Sequence, residues 1–547
     1  MWQPARRTLE LTVRPMEPLP FVGSVELRVV SGAVVVLGHE LRASDPPRGV
    51  ELHSPAGGLP LAIQTASPVS SGARVQLRAA GWRADAAEAR ERGGWGGGEG
   101  EGGSWDDGDA DADAERDDGG GGSGDGGGAE LRAMQTRLGV RALPTLRPSA
   151  RLGAVVPAAW EAAADELCAD LRAAGGGAAP PVVLLCGPRN VGKSSFARLL
   201  CNRALSGGQP LAFLECDVGQ PEMTMPGMVA LHVLRAPLLG PPHTHLRAPL
   251  HCRFAGDASP AADPRAYVAC VSELLECWRR ELPGTALVVN TCGWVSGLGL
   301  QLLADVAHVA QPTTLVCLHR PAAEVSAERL LATLGAAAAA ARRLLLPGLA
   351  GSAEAALTAG LVGAGPSAAD CRALSLLAYL GALPAGARAL PGSDGGYAAE
   401  AWQRPLRRLL ARPPAVVPLA AVNVRFLHAT VDATEHMHAL NATLVALGRG
   451  GGGGGGCEVL GLGIVRSVDE RAAELYVLTP IEDGALATVD TILRGSLELP
   501  LALMQPTALT APSPYLAAGA LRAAGAGAMR SRNNLVRGGR APQAAAN

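Results

Sequence analysis

Lys193 is the only lysine in 547 residues, and it stands in Gly187-Pro188-Arg189-Asn190-Val191-Gly192-Lys193-Ser194. The pattern G-x-x-x-x-G-K-[ST] is a phosphate loop. Its turned backbone N–H groups cradle the α- and β-phosphates of a nucleotide, and the lysine ammonium reaches the β- and γ-oxygens. The hydroxyl of Ser194 is placed to ligate Mg²⁺, and Ser195 completes the nucleotide-binding stretch 187–195. Every other long basic side chain is arginine. A compact ammonium has been kept where a planar guanidinium would be too bulky. A plain strand-to-helix turn would also use glycine, but the flanks argue for phosphate. Pro181 to Cys186 is an apolar run of strand length, and Ser195 to Leu205 has helical spacing. Strand, glycine loop and helix N-terminus form an anion-binding arrangement.

A phosphate loop specifies nucleotide binding but no reaction, so the neighbouring carboxylates matter. A GTPase reads guanine with N-K-x-D or T-K-x-D, and a chain with one lysine cannot hold that motif. Motor and transport ATPases end a downstream strand in Asp or Asp-Glu. Here Ala286-Leu287-Val288-Val289 runs into Asn290-Thr291 instead. A carboxylate follows an earlier strand, in Leu214-Glu215-Cys216-Asp217-Val218-Gly219-Gln220. Asp217 is therefore expected to orient and deprotonate an acceptor hydroxyl, to ligate Mg²⁺, or both. Gln220 could hold a water or a phosphate oxygen.

These residues need a scaffold, and the chain supplies an alternating one. Strands are expected at Val182–Cys186, Leu211–Cys216, His251–Phe254, Ala286–Asn290 and Thr314–Leu318. Between the third and fourth, Tyr267, Val271, Leu274 and Trp278 recur at helical spacing within 263–281 and predict one buried helix face. The expected fold is α/β, with a doubly wound parallel sheet as the phosphate-loop core and β-domains on either side. Aromatics make up only 3% of the chain, so the core must be mostly aliphatic.

The expected organisation has five parts. Residues 1–85 form an N-terminal β-domain, with Val25–Val29 and Ala33–Leu37 as a hairpin over Ser31-Gly32. Residues 86–149 form a disordered glycine-acid linker. The phosphate-loop domain spans 150–395, a C-terminal β-rich domain 396–515, and a basic disordered tail 516–547. The net charge of −2 hides a split: residues 99–125 carry a net −10, so the remainder carries +8. That excess arginine is compatible with a nucleic-acid surface. The eleven cysteines show no C-x-x-C pair, and Cys186, Cys216 and Cys317 lie in apolar runs as buried thiols. Pro4, Arg6, Arg7 and Glu10 interrupt the N-terminus, so no secretory signal is expected. The stretch 334–350 is broken by Arg342, Arg343 and Pro347, so no membrane span is expected either.

Four stretches resemble the polynucleotide 5′-hydroxyl-kinases of the cleavage-factor and nucleolar type. They are GPRNVGKSS (187–195), CDVGQPEMTMPG (216–227), FAGDASPAADPRAY (254–267) and NTCGWVSGLGLQLL (290–303). Thr291-Cys292-Gly293-Trp294 looks like that family's T-x-G-W clasp. The resemblance implies that Thr291 and the backbone at Gly293 grip the substrate end, while Trp294 stacks on a base. It is similar above all to the nucleolar branch, the pre-ribosomal RNA kinases. Pro221-Glu222-Met223-Thr224, Val295–Leu300, Leu460–Arg466 and Leu478–Ile481 carry that part of the likeness. The family's lid arginine maps onto Arg372 within Asp370–Tyr379. A second arginine one turn on is replaced by Leu376.

The resemblance thus implies an ATP- and Mg²⁺-dependent kinase acting on RNA with a 5′-hydroxyl end. Lys193, Asp217, Gln220 and Arg372 would be its catalytic set, and Ser194 and Asp217 its metal ligands. It implies work in the nucleus and nucleolus beside an rRNA-processing endonuclease, with no membrane involved. The alternatives are a relative serving mRNA 3′-end formation or tRNA splicing, an ATP-bound scaffold without turnover, and a metabolic kinase or ligase-like synthetase on the same fold.

Overall fold

The phosphate-loop strand runs through the interior of a seven-stranded sheet in the computed structural model. The structure describes residues 2–3, 8–79 (apart from 16, 46–48, 55–60 and 68–71), 141–142, 156–172, 179–320, 327–349, 367–381, 412–450 and 456–499. The chain divides into two compact units, Met1–Ala398 and Ala399–Asn547. The expected tail 516–547 lies outside the described residues, as does the expected linker 86–149 apart from one two-residue strand.

The first unit opens with a nine-stranded sheet. Its strands are β1 (Trp2–Gln3), β2 (Thr8–Val13), β3 (Leu19–Ser31), β4 (Ala33–Val36), β5 (His39–Arg42), β6 (Val50–Ser54), β7 (Leu61–Thr65), β8 (Ala73–Ala79) and β9 (Arg141–Ala142). Alternating side chains of β2, β3 and β8 fill one aliphatic core, with Leu9, Leu11, Leu27, Val75 and Leu77 buried. The hairpin expected over Ser31-Gly32 does not form. β3 pairs with β6, β7, β8 and β9, whereas β4 pairs with β5 and β7. A Cβ on Gly32 would lie 3.0 Å from the Gly72 carbonyl oxygen, so this turn packs against the start of β8. The true hairpin turn is Leu37-Gly38, with φ of 44° and 80° between the paired Val36 and His39. Two positive φ values suit the twist of a two-residue hairpin loop.

The kinase-core sheet contains β10 (Val182–Cys186), β11 (Leu211–Glu215), β12 (Met228–Leu234), β13 (His251–Phe254), β14 (Leu287–Asn290), β15 (Thr314–His319) and β16 (Arg342–Pro347). Its order is β13-β12-β11-β14-β10-β15-β16. The five strands from β11 to β16 in that order are parallel, and β12 and β13 extend the edge antiparallel. The expected α/β fold is thus found, with two departures. His251–Phe254 is an antiparallel edge strand rather than part of the parallel set. The segment of 342–347 with its two arginines is a strand at the opposite edge.

Helices cover both faces. They are α1 (Ala158–Arg172), α2 (Lys193–Leu205), α3 (Pro264–Glu281), α4 (Leu298–Ala310), α5 (Ala327–Ala337) and α6 (Ala368–Tyr379). Trp160, Phe196 and Leu200 of α1 and α2 pack on one face with Val183, Leu185 and Val288. Tyr267, Val271, Leu274 and Trp278 of α3 pack on the other with Leu184, Leu287 and Val289. β10 is buried at every position, as a strand covered on both faces must be. Cys186, Cys216 and Cys317 are buried, free thiols.

The N-terminal sheet rests on the far end of α2. Asn202 is fully buried there, and its amide is used completely. Nδ2 donates to the carbonyls of Leu37 and Leu238, each at 3.0 Å, and Oδ1 accepts from the Leu238 N–H at 2.7 Å. Asn202→Ala would leave two carbonyls and one N–H unpaired. It is expected to cost about 3 kcal/mol of stability, read as a lowered melting temperature of the full chain. An unchanged melting temperature would show that the sheet docks without this amide.

The second unit has a six-stranded sheet of β17 (Ala415–Pro418), β18 (Asn423–Phe426), β19 (Leu444–Arg449), β20 (Glu458–Asp469), β21 (Glu474–Leu478) and β22 (Thr491–Arg494). Only β18 and β22 pair in parallel among its described strands. Val445, Leu447, Val465, Val477 and Ile492 form its core. The strand expected at Glu474–Leu478 is β21.

Candidate active site

The phosphate loop leaves β10 at Gly187 and enters α2 at Lys193. Its glycines are set by close approaches. Gly187 has φ +140°, and a Cβ there would lie 2.2 Å from the Leu318 carbonyl oxygen of β15. Gly192 has φ +102°, and a Cβ there would lie 2.6 Å from the Trp160 ring. Gly192 caps α2 with no side-chain hydrogen bond, so no side chain takes up the helix's first N–H donors. Pro188, Arg189, Asn190 and Val191 complete the loop, with Asn190 at φ +56°. Ser194 and Ser195 are half-buried in the first turn.

Lys193 is 7% exposed, and its Nζ donates to the carbonyls of Gly187 and Pro188, each at 2.9 Å. Burial pushes its pKa below the ordinary lysine value, while the Asp217 carboxylate works the other way. Asp217 lies two residues past the end of β11. Its Oδ1 accepts the N–H groups of Gly219 (3.0 Å) and Gln220 (3.1 Å). Burial raises its pKa above the usual aspartate value, against the pull of the Gln220 N–H and of Lys193. The Tyr267 hydroxyl donates to the Cys216 carbonyl at 2.9 Å and steadies this turn. Buried Glu215 anchors residues 222–224, accepting from the N–H groups of Glu222 and Met223 and from the Thr224 hydroxyl. Glu222 in turn pairs with Arg198 of α2 at 2.6 Å. Gln220 is exposed at the rim.

The stretch 291–294 comes down on the loop from β14. The Thr291 hydroxyl is buried and donates to the Leu185 carbonyl at 2.7 Å, which fixes the strand end. A Cβ on Gly293 would lie 2.8 Å from both Cα and N of Arg189, so the two backbones touch. Cys292 lies in the fields of Lys193, Asp217 and Arg189, and burial raises its thiol pKa. Trp294 is half-buried against the α3–α4 core. Its ring lies over Gly299, where a Cβ would come within 2.2 Å of the indole Cγ.

Comparison with known proteins agrees with this geometry. Residues 187–336 match the family model described as mRNA cleavage and polyadenylation factor CLP1 P-loop. Residues 410–500 match a model described as NOL9-like, C-terminal domain. The chain is 30% identical over 384 residues to the polynucleotide 5′-hydroxyl-kinase NOL9 of Arabidopsis thaliana, covering 67% of this chain and 96% of that one. The chain belongs to the polynucleotide 5′-hydroxyl-kinase family.

The Homo sapiens member of this kinase family is 30% identical over 365 residues, covering 58% of this chain and 49% of its own. The chain therefore spans nearly the full length of the plant relative but about half of the human one. A solved wild-type Clp1p–Pcf11p complex has the same fold, with a TM-score of 0.54 at 12% identity over 90% of this chain and 98% of that one. The enzyme class expected from the sequence, a kinase built on a nucleotide-binding phosphate loop, is that of the family.

Lys193, Asp217, Thr291 and Gly293 meet at the C-terminal ends of β10, β11 and β14, where an open α/β sheet binds its ligand. Arg372 lies on α6. That helix starts with a Ser367–Asp370 capping box, and Leu376 is buried where a second lid arginine would be. Among the described residues, Arg372 forms no hydrogen bond or ion pair. Two site residues escaped sequence reasoning. Arg320, the first residue past β15, donates from Nη2 to the Asn190 carbonyl at 2.7 Å. Asn290 ends β14 with its amide buried. The signal available for both was position, one residue inside or outside a strand's C-terminal end. Among the described residues, no helix is long and apolar enough to cross a membrane.

Proposed function

We propose that the chain transfers the γ-phosphate of ATP to the 5′-hydroxyl end of RNA during pre-rRNA processing. The observation that carries this is the convergence of Lys193, Asp217 and the Gly293 backbone at the C-terminal ends of three adjacent strands. On this reading, residues 187–195 seat the phosphates and Lys193 leaves its two loop carbonyls for the β- and γ-oxygens. Asp217 orients the acceptor hydroxyl and takes its proton, a role suited to a carboxylate whose pKa is raised. The Ser194 hydroxyl and the Asp217 carboxylate are hard oxygen donors of the kind Mg²⁺ prefers. When bound, the ion would neutralise charge on the transferring phosphoryl group. Thr291 holds the strand end, Gly293 brings the clasp onto the loop, and Trp294 offers a π-face to the terminal base. Gln220 would complete the set from the rim and Arg372 from α6.

The match of 410–500 to the NOL9-like C-terminal model favours the nucleolar role over mRNA 3′-end formation or tRNA splicing. It also favours a nucleolar location, and the partner we propose is an rRNA-processing endonuclease. The test is direct. Full-length protein, ATP labelled at the γ-position and a 5′-hydroxyl oligoribonucleotide should give label at the RNA 5′ end. Tight ATP binding without transfer would favour the scaffold.

Trp294→Ala is expected to weaken RNA binding by about 1–3 kcal/mol, the scale of one base–aromatic stack, with ATP affinity nearly unchanged. Trp294→Phe should recover part of the loss. A large drop in melting temperature with RNA affinity intact in the folded fraction would make Trp294 a core residue only.

A further inference from the structure

Asn290 is 1% exposed, and neither its Oδ1 nor its Nδ2 has a hydrogen-bond partner among the described residues. Native interiors rarely leave both ends of an amide unpaired. Asn202, on the same side of the sheet, uses its amide at both ends.

The direction of this amide is set by the strand. Leu287 and Val289 pack in the α3 core, whereas Val288 packs with Phe196 and Ala197 of α2. Successive side chains alternate, so Asn290 lies on the α2 face. Its register partners are Leu185, two residues before the phosphate loop, and Glu215, two residues before Asp217. The nearest polar groups of these strand ends are already engaged. Glu215 accepts from residues 222–224, and the Thr291 hydroxyl donates to Leu185. The amide thus sits at the C-terminal end of β14, on the sheet face that α2 covers and in register with the strand that feeds the phosphate loop.

We infer that Asn290 is a positioning residue for the divalent cation of the ATP complex, its Oδ1 accepting a hydrogen bond from a water coordinated to the ion held at Ser194. A cation-bound water is a strong donor that needs an acceptor, and an uncharged carboxamide supplies one without adding a second buried charge beside Asp217. Groups that orient metal ligands in this way typically change metal affinity about 10–100-fold when removed. The inference rests on the kinase reading, because it presupposes that ATP binds with a cation at this loop.

The experiment measures binding of a β,γ-imido ATP analogue to the full chain by calorimetry, with and without Mg²⁺. It uses wild type, Asn290→Leu and Asn290→Asp, with the melting temperature of each ligand-free chain. In Asn290→Leu, cation-free affinity and melting temperature should hold, because an unpaired amide replaced by an apolar isostere leaves no partner stranded. The gain in affinity that Mg²⁺ gives wild type should fall about tenfold or more. In Asn290→Asp, half-saturation should come at lower Mg²⁺, since a carboxylate is the stronger acceptor. An unchanged Mg²⁺ gain in Asn290→Leu would overturn the inference while leaving the kinase reading intact. So would a loss of cation-free affinity in step with melting temperature, the mark of a structural amide. If the leucine variant does not fold, unchanged half-saturation in Asn290→Asp overturns it alone. Failure of wild type to bind the analogue at all would remove the kinase reading and this inference together.

Discussion

Lys193→Arg should lower phosphoryl transfer about 10³-fold while keeping the charge, the scale of losing one preorganised group that stabilises transition-state charge. The reason is space as much as charge. Nζ is enclosed, with two loop carbonyls at 2.9 Å as its partners. Gly187 and Gly192 press the loop against β15 and Trp160, so the loop has no room to widen around a longer planar fork. Transfer of labelled phosphate to a 5′-hydroxyl oligoribonucleotide measures the loss, and the melting temperature of the ligand-free variant shows whether the fold survives. Near-normal transfer by a folded Lys193→Arg chain would place the phosphates elsewhere.

Asp217→Asn should leave ATP affinity largely intact and lower turnover about 10²-fold or more, as for a lost general base. The pH dependence sharpens this. Burial raises the Asp217 pKa above its unfolded value, so the folded chain holds this proton more tightly than the unfolded one. Turnover should therefore rise with pH through the raised pKa, because only the carboxylate accepts a proton from the acceptor. The stability that Asp217 contributes is full below the ordinary aspartate range and is lost as pH climbs through the folded pKa. Asp217→Asn should remove both effects. A fall in nucleotide affinity in step with turnover would make cation binding, not proton transfer, the main role of Asp217.

Much of the kinase core was legible because its signals are local. Val182–Cys186 and His251–Phe254 carry continuous or bounded apolar runs, and their strand limits match those in the fold. The face of Tyr267, Val271, Leu274 and Trp278 is buried as its spacing requires. The features that escaped were relational. Met228–Leu234 reads as an apolar run, but its antiparallel place between β11 and β13 comes from the Glu215-anchored turn before it. The Ser31-Gly32 turn has hairpin residues, yet β3 is long enough to recruit four other strands. The site divides in the same way. Lys193 and Asp217 announced themselves through motif and charge. The resemblance gives Thr291 as a substrate grip, and in the fold its hydroxyl donates to the Leu185 carbonyl. Arg320 and Asn290 carry no motif, and only the folded strand ends bring them to the loop.

On the proposed function, the closeness of Gly293 to Arg189 would also couple two binding equilibria. With a Cβ position only 2.8 Å from the Arg189 backbone, the donor and acceptor seats proposed above would share a wall. A nucleotide that moves Arg189 must move the clasp. Linkage is reciprocal, so whatever factor ATP imposes on affinity for the RNA end, the RNA end returns on ATP. Departure of ADP would then change the affinity for the phosphorylated end, a coupling that depends on a single missing side chain.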